Sequence, residues 1–229
     1  MSLSPASLTC LTGSSGAGKS EFAVKLVHHA REVYNNDFDA IIWCHQAGES
    51  SVPREALKDV PNIQFFKGLP PSFTTFPRNT LIICDDCSKE VVNSEAIYKA
   101  AIQGSHHDNQ TIVLVCHQIF TPGKNFKTVS RNCHYYVLFR SPRDRNQVDI
   151  FFRQIEPKRW RQLRDVYESE VVAKPFNYLI IDCHPASDIK LAPFRFKNSI
   201  FPSDPAGQFY CTQEEFNSLI ENETAGREG

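Results

Sequence analysis

The chain has 229 residues, 41% of them hydrophobic, which suits one sizeable soluble core. Its 25 Lys and Arg balance 26 Asp and Glu to a net charge of −1, which excludes a uniformly basic nucleic-acid coat. No run approaches the roughly 18 uninterrupted apolar residues of a membrane helix, and the amino terminus lacks the charged and apolar regions of a signal peptide, so the expected location is inside a cell, not secreted.

The first predicted element is a strand over 8–11, an apolar run carrying Leu8, Cys10 and Leu11, and GSSGAGKS follows it directly. That segment satisfies G-x-x-x-x-G-K-[ST]. Glycines let the backbone wind closely around a polyphosphate, and the amides then point inward as donors. A helix starting at the loop adds its positive dipole end. Gly13, Ser14, Ser15, Gly16, Ala17, Gly18, Lys19 and Ser20 are therefore the candidate nucleotide-binding residues. Lys19 is expected to reach the β- and γ-phosphates as a mobile point charge, and the Ser20 hydroxyl to take a coordination position on Mg²⁺. Phe22, Leu26 and Ala30 then recur every four residues beside Ala23 and Val27, which predicts a helix over 20–33 with one buried face. Glu21 falls in its first turn, where a carboxylate is favoured.

Short apolar runs at 40–44 and 63–66 read as buried strands, and 68–79, with Pro70, Pro71 and Pro77, as an irregular loop. Leu81, Ile82, Ile83 and Cys84 then lead into Asp85 and Asp86, a hydrophobic strand closing in acids. A strand tip delivers side chains to the ligand crevice of an open sheet. Asp85 is the expected Mg²⁺ ligand, and Asp86 the residue that orients or deprotonates the attacking water. Two acids that merely begin a turn are the alternative. The separation of Ser20 from Asp85, with a strand between, suits phosphate-loop ATPases that insert a strand between the two motif strands. Of eight cysteines, Cys10, Cys44, Cys84, Cys116 and Cys183 fall in strand-like runs and are expected to be buried thiols. Cys84 and Cys87 form C-x-x-C but bracket the two acids and have no second pair at zinc-finger spacing.

A helix is predicted over 89–103 and a strand over 112–116, the latter ending in His117 and Gln118. Gln118 is the candidate γ-phosphate sensor or water-placing residue, with turn capping as its alternative and His117 as the weaker candidate. Neither His106 with His107 nor Cys183 with His184 has partners at metal-ligand spacing. The stretch 121–127, with Lys124 and Lys127, follows the strand that ends in Gln118. A strand at 135–139, a helix at 146–155, a helix after Pro157 with Trp160, Leu163, Val166 and Tyr167 on one face, and a strand at 178–182 complete the pattern. Between Arg140 and Arg164 the basic residues Arg143, Arg145, Arg153, Lys158, Arg159 and Arg161 outnumber Asp144, Asp149 and Glu156. Such an excess fits either phosphates of DNA or of a neighbouring subunit, or a solvated helix face. Alternating strands and helices predict an α/β fold with a mostly parallel central sheet and helices on both faces. One domain is expected over 1–220, with a polar, frayed tail at 221–229.

With Asp85, Asp86 and Gln118 placed, the order of phosphate loop, strand closing in Asp-Asp and strand closing in Gln resembles the FtsK/HerA superfamily. The later portion narrows the resemblance: Ser130, Arg131 and Asn132 before CHYYVLF, then the arginines of 140–145, a helix, Pro157 and YLIIDCHP. This series resembles viral genome-packaging ATPases of the poxvirus type, especially the small forms of Polinton/Maverick elements, adintoviruses and virophages, over roughly 8–201. The resemblance implies a RecA/ASCE-like P-loop NTPase fold and a homo-oligomeric ring that hydrolyses ATP with Mg²⁺ to drive double-stranded DNA into a preformed capsid. Its implied partners are DNA, further copies of itself and capsid proteins, with no membrane, in the host cytoplasm or nucleus. It also implies an arginine supplied to the neighbouring subunit's nucleotide, with Arg131 the first choice and Arg140 and Arg143 its rivals. Many relatives carry Glu where this chain has Asp86. Two other readings stay open: a small-molecule or nucleoside kinase, and a binding module switched by nucleotide. A transporter ATPase lacks support, because no LSGGQ-like signature is present.

Overall fold

The computed structural model describes residues 2–46, 52–85, 91, 93–104, 109–123, 125–185, 187, 196–202 and 204. Asp86, Cys87, His106, His107, Lys124 and the tail at 221–229 lie outside these residues. Eight strands form one sheet: β1 (Leu8–Thr12), β2 (Ala40–His45), β3 (Ile63–Lys67), β4 (Thr80–Asp85), β5 (Thr111–Cys116), β6 (Tyr135–Phe139), β7 (Tyr178–Asp182) and β8 (Phe196–Lys197). Their order is β3-β2-β4-β5-β1-β6-β7-β8. The pairs from β3 through to β6 are parallel, whereas β7 runs antiparallel to both β6 and β8. β5 therefore lies between the phosphate-loop strand β1 and the acid-ended strand β4. The earlier strand in the chain, β2, lies outside β4.

Strand residues alternate between two apolar layers, as a period of two requires. On one face Leu11, Ile41, Trp43, Leu81, Ile83, Val113, Val115 and Val137 pack under α1 (Lys19–His28) and α2 (Ala30–Tyr34). On the other, Cys10, Cys44, Ile82, Leu114 and Leu138 meet α3 (Glu95–Lys99), α4 (Phe126–Arg131), α5 (Arg145–Ile155) and α6 (Trp160–Tyr167). The predicted mostly parallel sheet covered on both faces is thus the observed one. Among the described cysteines, Cys10, Cys44, Cys84, Cys116 and Cys133 are buried, whereas Cys183, expected to be buried with them, is partly exposed just beyond the end of β7.

Two predicted helices are interrupted. The helix expected over 20–33 breaks at His29, whose φ of −108° and ψ of 21° leave the helical well; Ala30, Val33 and Tyr34 nevertheless stay on the α1 face. The helix expected over 89–103 restarts at Ser94, whose hydroxyl accepts from the Ile97 amide at 3.2 Å as an N-cap, and it ends in a π turn over 100–104. The two-residue β8 is too short to leave a periodic signal. Among the described residues, no helix is long and apolar enough to cross a membrane.

One polar anchor ties the last described residues to α1. Lys25 Nζ donates to Asp204 Oδ1 at 2.6 Å, and Asp204 Oδ2 accepts from Tyr178 Oη at 2.6 Å and from the Phe201 and Ile200 amides at 3.2 and 3.3 Å. Burial alone would raise this carboxyl, but these donors hold it below the usual carboxylate range. The folded value is the lower one, so the stabilisation is full above the unfolded value near pH 4 and is lost as pH falls through the folded value. Asp204→Asn is expected to cost about 1–3 kcal/mol at pH 7. In urea denaturation its deficit against wild type should shrink by pH 3; an equal deficit at both pH values would contradict the ionised anchor.

Candidate active site

The loop between β1 and α1 takes its shape from its glycines. Gly13, Gly16 and Gly18 have φ of 154°, 75° and 98°, values that side-chain-bearing residues rarely adopt. Gly18 forms the N-terminal boundary of α1, so the loop amides and the helix start converge on one point. Lys19 is 6% exposed, and its ammonium donates to the Gly13 and Ser14 carbonyls at 2.7 and 2.8 Å. The side chain thus lies folded over the loop.

Across the crevice, Ser20 Oγ donates to Asp85 Oδ1 at 3.1 Å. The phosphate loop and the acid at the β4 tip, separated in the sheet by β5, therefore face the same space. A cavity of about 380 Å³ is lined by Ser15, Gly16, Gly18, Lys19, Ser20, Glu21, His45, Asp85, Val115, His117 and Phe176. Ser20 and Asp85 offer hard oxygen donors of the kind Mg²⁺ prefers, so this pair fits the ion.

The structure brings His117 into this cavity and leaves Gln118 out of its lining. Gln118 borders a narrow neighbouring space with Thr12, Gly13, Ile119 and Ser141, and its carbonyl accepts from the Thr121 hydroxyl at 3.1 Å. Strand parity explains the division: Val113 and Val115 face α1, and His117 continues that series. The same rule applies to Ile41, Trp43 and His45, and to Leu81, Ile83 and Asp85. His45 pairs in register with Asp85, and sequence inspection alone did not single it out. A residue two beyond the last strand position packed under α1 was the available signal.

A second group supports the loop from below. The Ser14 amide donates to the Arg140 carbonyl at 3.1 Å, and Ser14 Oγ lies 3.4 Å from Ser141 Oγ. Tyr167 Oη donates to the Phe139 carbonyl at 2.9 Å and accepts from the Ser141 amide at 3.1 Å. Burial pushes this phenol up to about 12, so it remains a donor across the physiological range. Tyr167 reads in sequence as a core residue of α6, and its clamp role depends on tertiary placement.

The candidate arginines separate. Arg140 lines a cavity with Ser14, Ser15, Gly16 and Ala17. Arg131 is exposed at the end of α4, just before the start of β6, and so lies at the opposite edge of the parallel sheet from its own phosphate loop. Much of the basic excess over 140–164 is engaged within the chain: Arg145 with Glu168 at 3.5 Å, Arg159 with Glu156 at 3.3 Å, Arg164 with Asp149 at 3.1 Å, and Arg153 over the Trp160 ring at 4.1 Å.

Sheet order, glycine loop and strand-tip acid together define the phosphate-loop NTPase fold, with a mixed eight-stranded sheet. No family model and no curated protein matches the chain. Among solved structures, it is similar to the genome packaging NTPase B204 from Sulfolobus turreted icosahedral virus 2 in complex with AMP, at 13% identity and a TM-score of 0.51, over 79% of this chain and 94% of that one. The same protein in complex with ATP-gammaS matches at 12% identity and a TM-score of 0.50, over 77% and 92%. At such identity the likeness is one of fold.

Proposed function

We propose that this chain is an ATP-hydrolysing motor that moves viral double-stranded DNA into a capsid. The carrying observation is the 3.1 Å contact between Ser20 and Asp85, which gathers the loop, its lysine and the β4 acid around one cavity. The fold shared with a viral genome packaging NTPase supports the choice of motor over other phosphate-loop enzymes. In this reading Lys19 and the loop amides hold the triphosphate, and Ser20 and Asp85 hold Mg²⁺, which neutralises charge on the phosphates when bound. Asp86 acts on the attacking water, and His117, which lines the cavity, takes the second place there that the sequence assigns to Gln118, whose side of the strand end borders the adjoining space. An arginine, Arg131 first and Arg140 or Arg143 as rivals, reaches the nucleotide of the adjoining copy in a ring. DNA is held by phosphate contacts without base readout, which a neutral chain manages with basic residues confined to one surface.

The test is phosphate release from ATP measured with and without duplex DNA across protein concentration. A motor of this kind shows stimulation by DNA of any sequence and a specific activity that rises as copies assemble. Phosphate transfer to a small acceptor, with no DNA effect, would instead identify a kinase. Nucleotide binding without turnover would identify a switch.

A further inference from the structure

The nucleotide cavity contains one phenyl ring, which the proposed phosphate chemistry does not use. Phe176 is 71% exposed, the highest value among the described large apolar side chains with notable exposure. It occupies the third position of a turn over 174–177, in which the Asn177 amide donates to the Lys174 carbonyl at 3.3 Å and Pro175 stands second. Its φ is 63°. Proline second and positive φ third is the type II pattern, where glycine or asparagine is the comfortable residue. A bulky side chain in the left-handed region is a backbone outlier, and such outliers persist where the surroundings hold them and where function benefits. Burial does not explain this phenylalanine.

Its position in the sheet does. β7 is antiparallel, so its beginning lies beside the end of β6, with Tyr178 paired to Phe139, at the same edge as the phosphate loop. β5 and β4 flank β1 on one side, and β6 and β7 on the other. Asp85 and Phe176 therefore line one cavity from opposite sides of the loop. The ring reaches back over Gly18: Phe176 Cδ1 lies 3.4 Å from where a Cβ on Gly18 would stand. On its other side opens a cavity of about 690 Å³, with Glu21, Lys25 and Asn177 as polar groups in its wall.

We propose that Phe176 is the stacking platform for the nucleobase, with the phosphates extending from it toward Lys19, Ser20 and Asp85. This rests on the reading of the cavity as a triphosphate site. Every base offers a π-face, and an exposed phenyl ring whose backbone is set by a proline turn has only two side-chain torsions to fix on meeting it. Gly18 leaves the approach open at the junction between base and phosphates.

The experiment compares calorimetric binding of ATP and of inorganic tripolyphosphate, both with Mg²⁺, to wild type and Phe176→Ala. The alanine variant should bind ATP about 5- to 150-fold more weakly, the range that base–aromatic stacking contributes, while tripolyphosphate affinity stays within about twofold. Phe176→Trp should keep ATP affinity, and its indole emission should be quenched by ATP and not by tripolyphosphate. Unchanged ATP affinity in Phe176→Ala, or an equal loss for both ligands, would overturn the platform while leaving the phosphate site standing. Failure of wild type to bind tripolyphosphate at all would overturn the phosphate site and the platform with it.

Discussion

Lys19→Ala is expected to lower ATP turnover by about 10²–10³-fold and to weaken ATP binding, with the fold intact. The magnitude follows from removing a charged donor aimed at developing phosphate charge in a largely desolvated site. Lys19 is buried to 6% exposure and spans the loop to the Gly13 and Ser14 carbonyls. A short swing of its flexible stem carries the ammonium from those carbonyls to a bound polyphosphate. Lys19→Arg should fail almost as badly, because a planar guanidinium cannot replace a compact ammonium at the centre of so tight a loop. Steady-state phosphate release and circular dichroism check the two halves of the prediction; turnover within threefold of wild type would remove Lys19 from the chemistry. The same variant serves the subunit question. Mixing it with Arg131→Ala subunits should restore activity if Arg131 acts across an interface, since wild-type groups then meet at some sites. Arg140→Ala, whose parent side chain lies beside the loop of its own chain, is the comparison.

The parts of this site that were legible in sequence are those where chemistry constrains spacing. G-x-x-x-x-G-K-[ST] fixes Gly13, Gly18, Lys19 and Ser20 at set spacing within eight positions, and an apolar run closing in acid at the next motif marks Asp85. Sheet order was less accessible, because nothing in β5 itself says that it inserts between β1 and β4; hydrogen bonding across strands decides that. His45 is a lone histidine without a motif. It becomes visible once Ile41 and Trp43 are known to face α1, because alternation then carries His45 to the nucleotide side. The same parity separates His117 from Gln118, and it needs knowledge of which strand face α1 covers. Phe176 was hidden for a different reason. Local propensity predicts glycine or asparagine where it stands, and a departure from propensity can be recognised only after the turn is seen. The Ser141 and Tyr167 contacts beneath the loop join segments far apart in the chain, with no local signature at either end.

Those contacts set up the second large effect, Gly13→Ala. A Cβ on Gly13 would stand 2.7 Å from Phe139 Cβ and 3.1 Å from the Phe139 carbonyl carbon and oxygen. Two of these three neighbours are backbone, and they have little room to retreat. The Phe139 carbonyl accepts from the buried Tyr167 phenol, and the next carbonyl, that of Arg140, accepts from the Ser14 amide. The loop cannot move away either without losing the latter bond. Overpacking and an unfavourable φ of 154° therefore act together, and the expected cost is about 2–4 kcal/mol. For a chain of this length that lowers Tm by roughly 4–16 °C. Gly16→Ala is the matched control: nothing lies within 4 Å of its added Cβ, so its φ of 75° leaves backbone strain alone, about 1–2 kcal/mol. Thermal denaturation of the two variants separates close approach from conformational strain. Gly13→Ala should melt clearly below Gly16→Ala; the reverse order would mean that β6 yields to the loop, and that the Tyr167 clamp does not hold it.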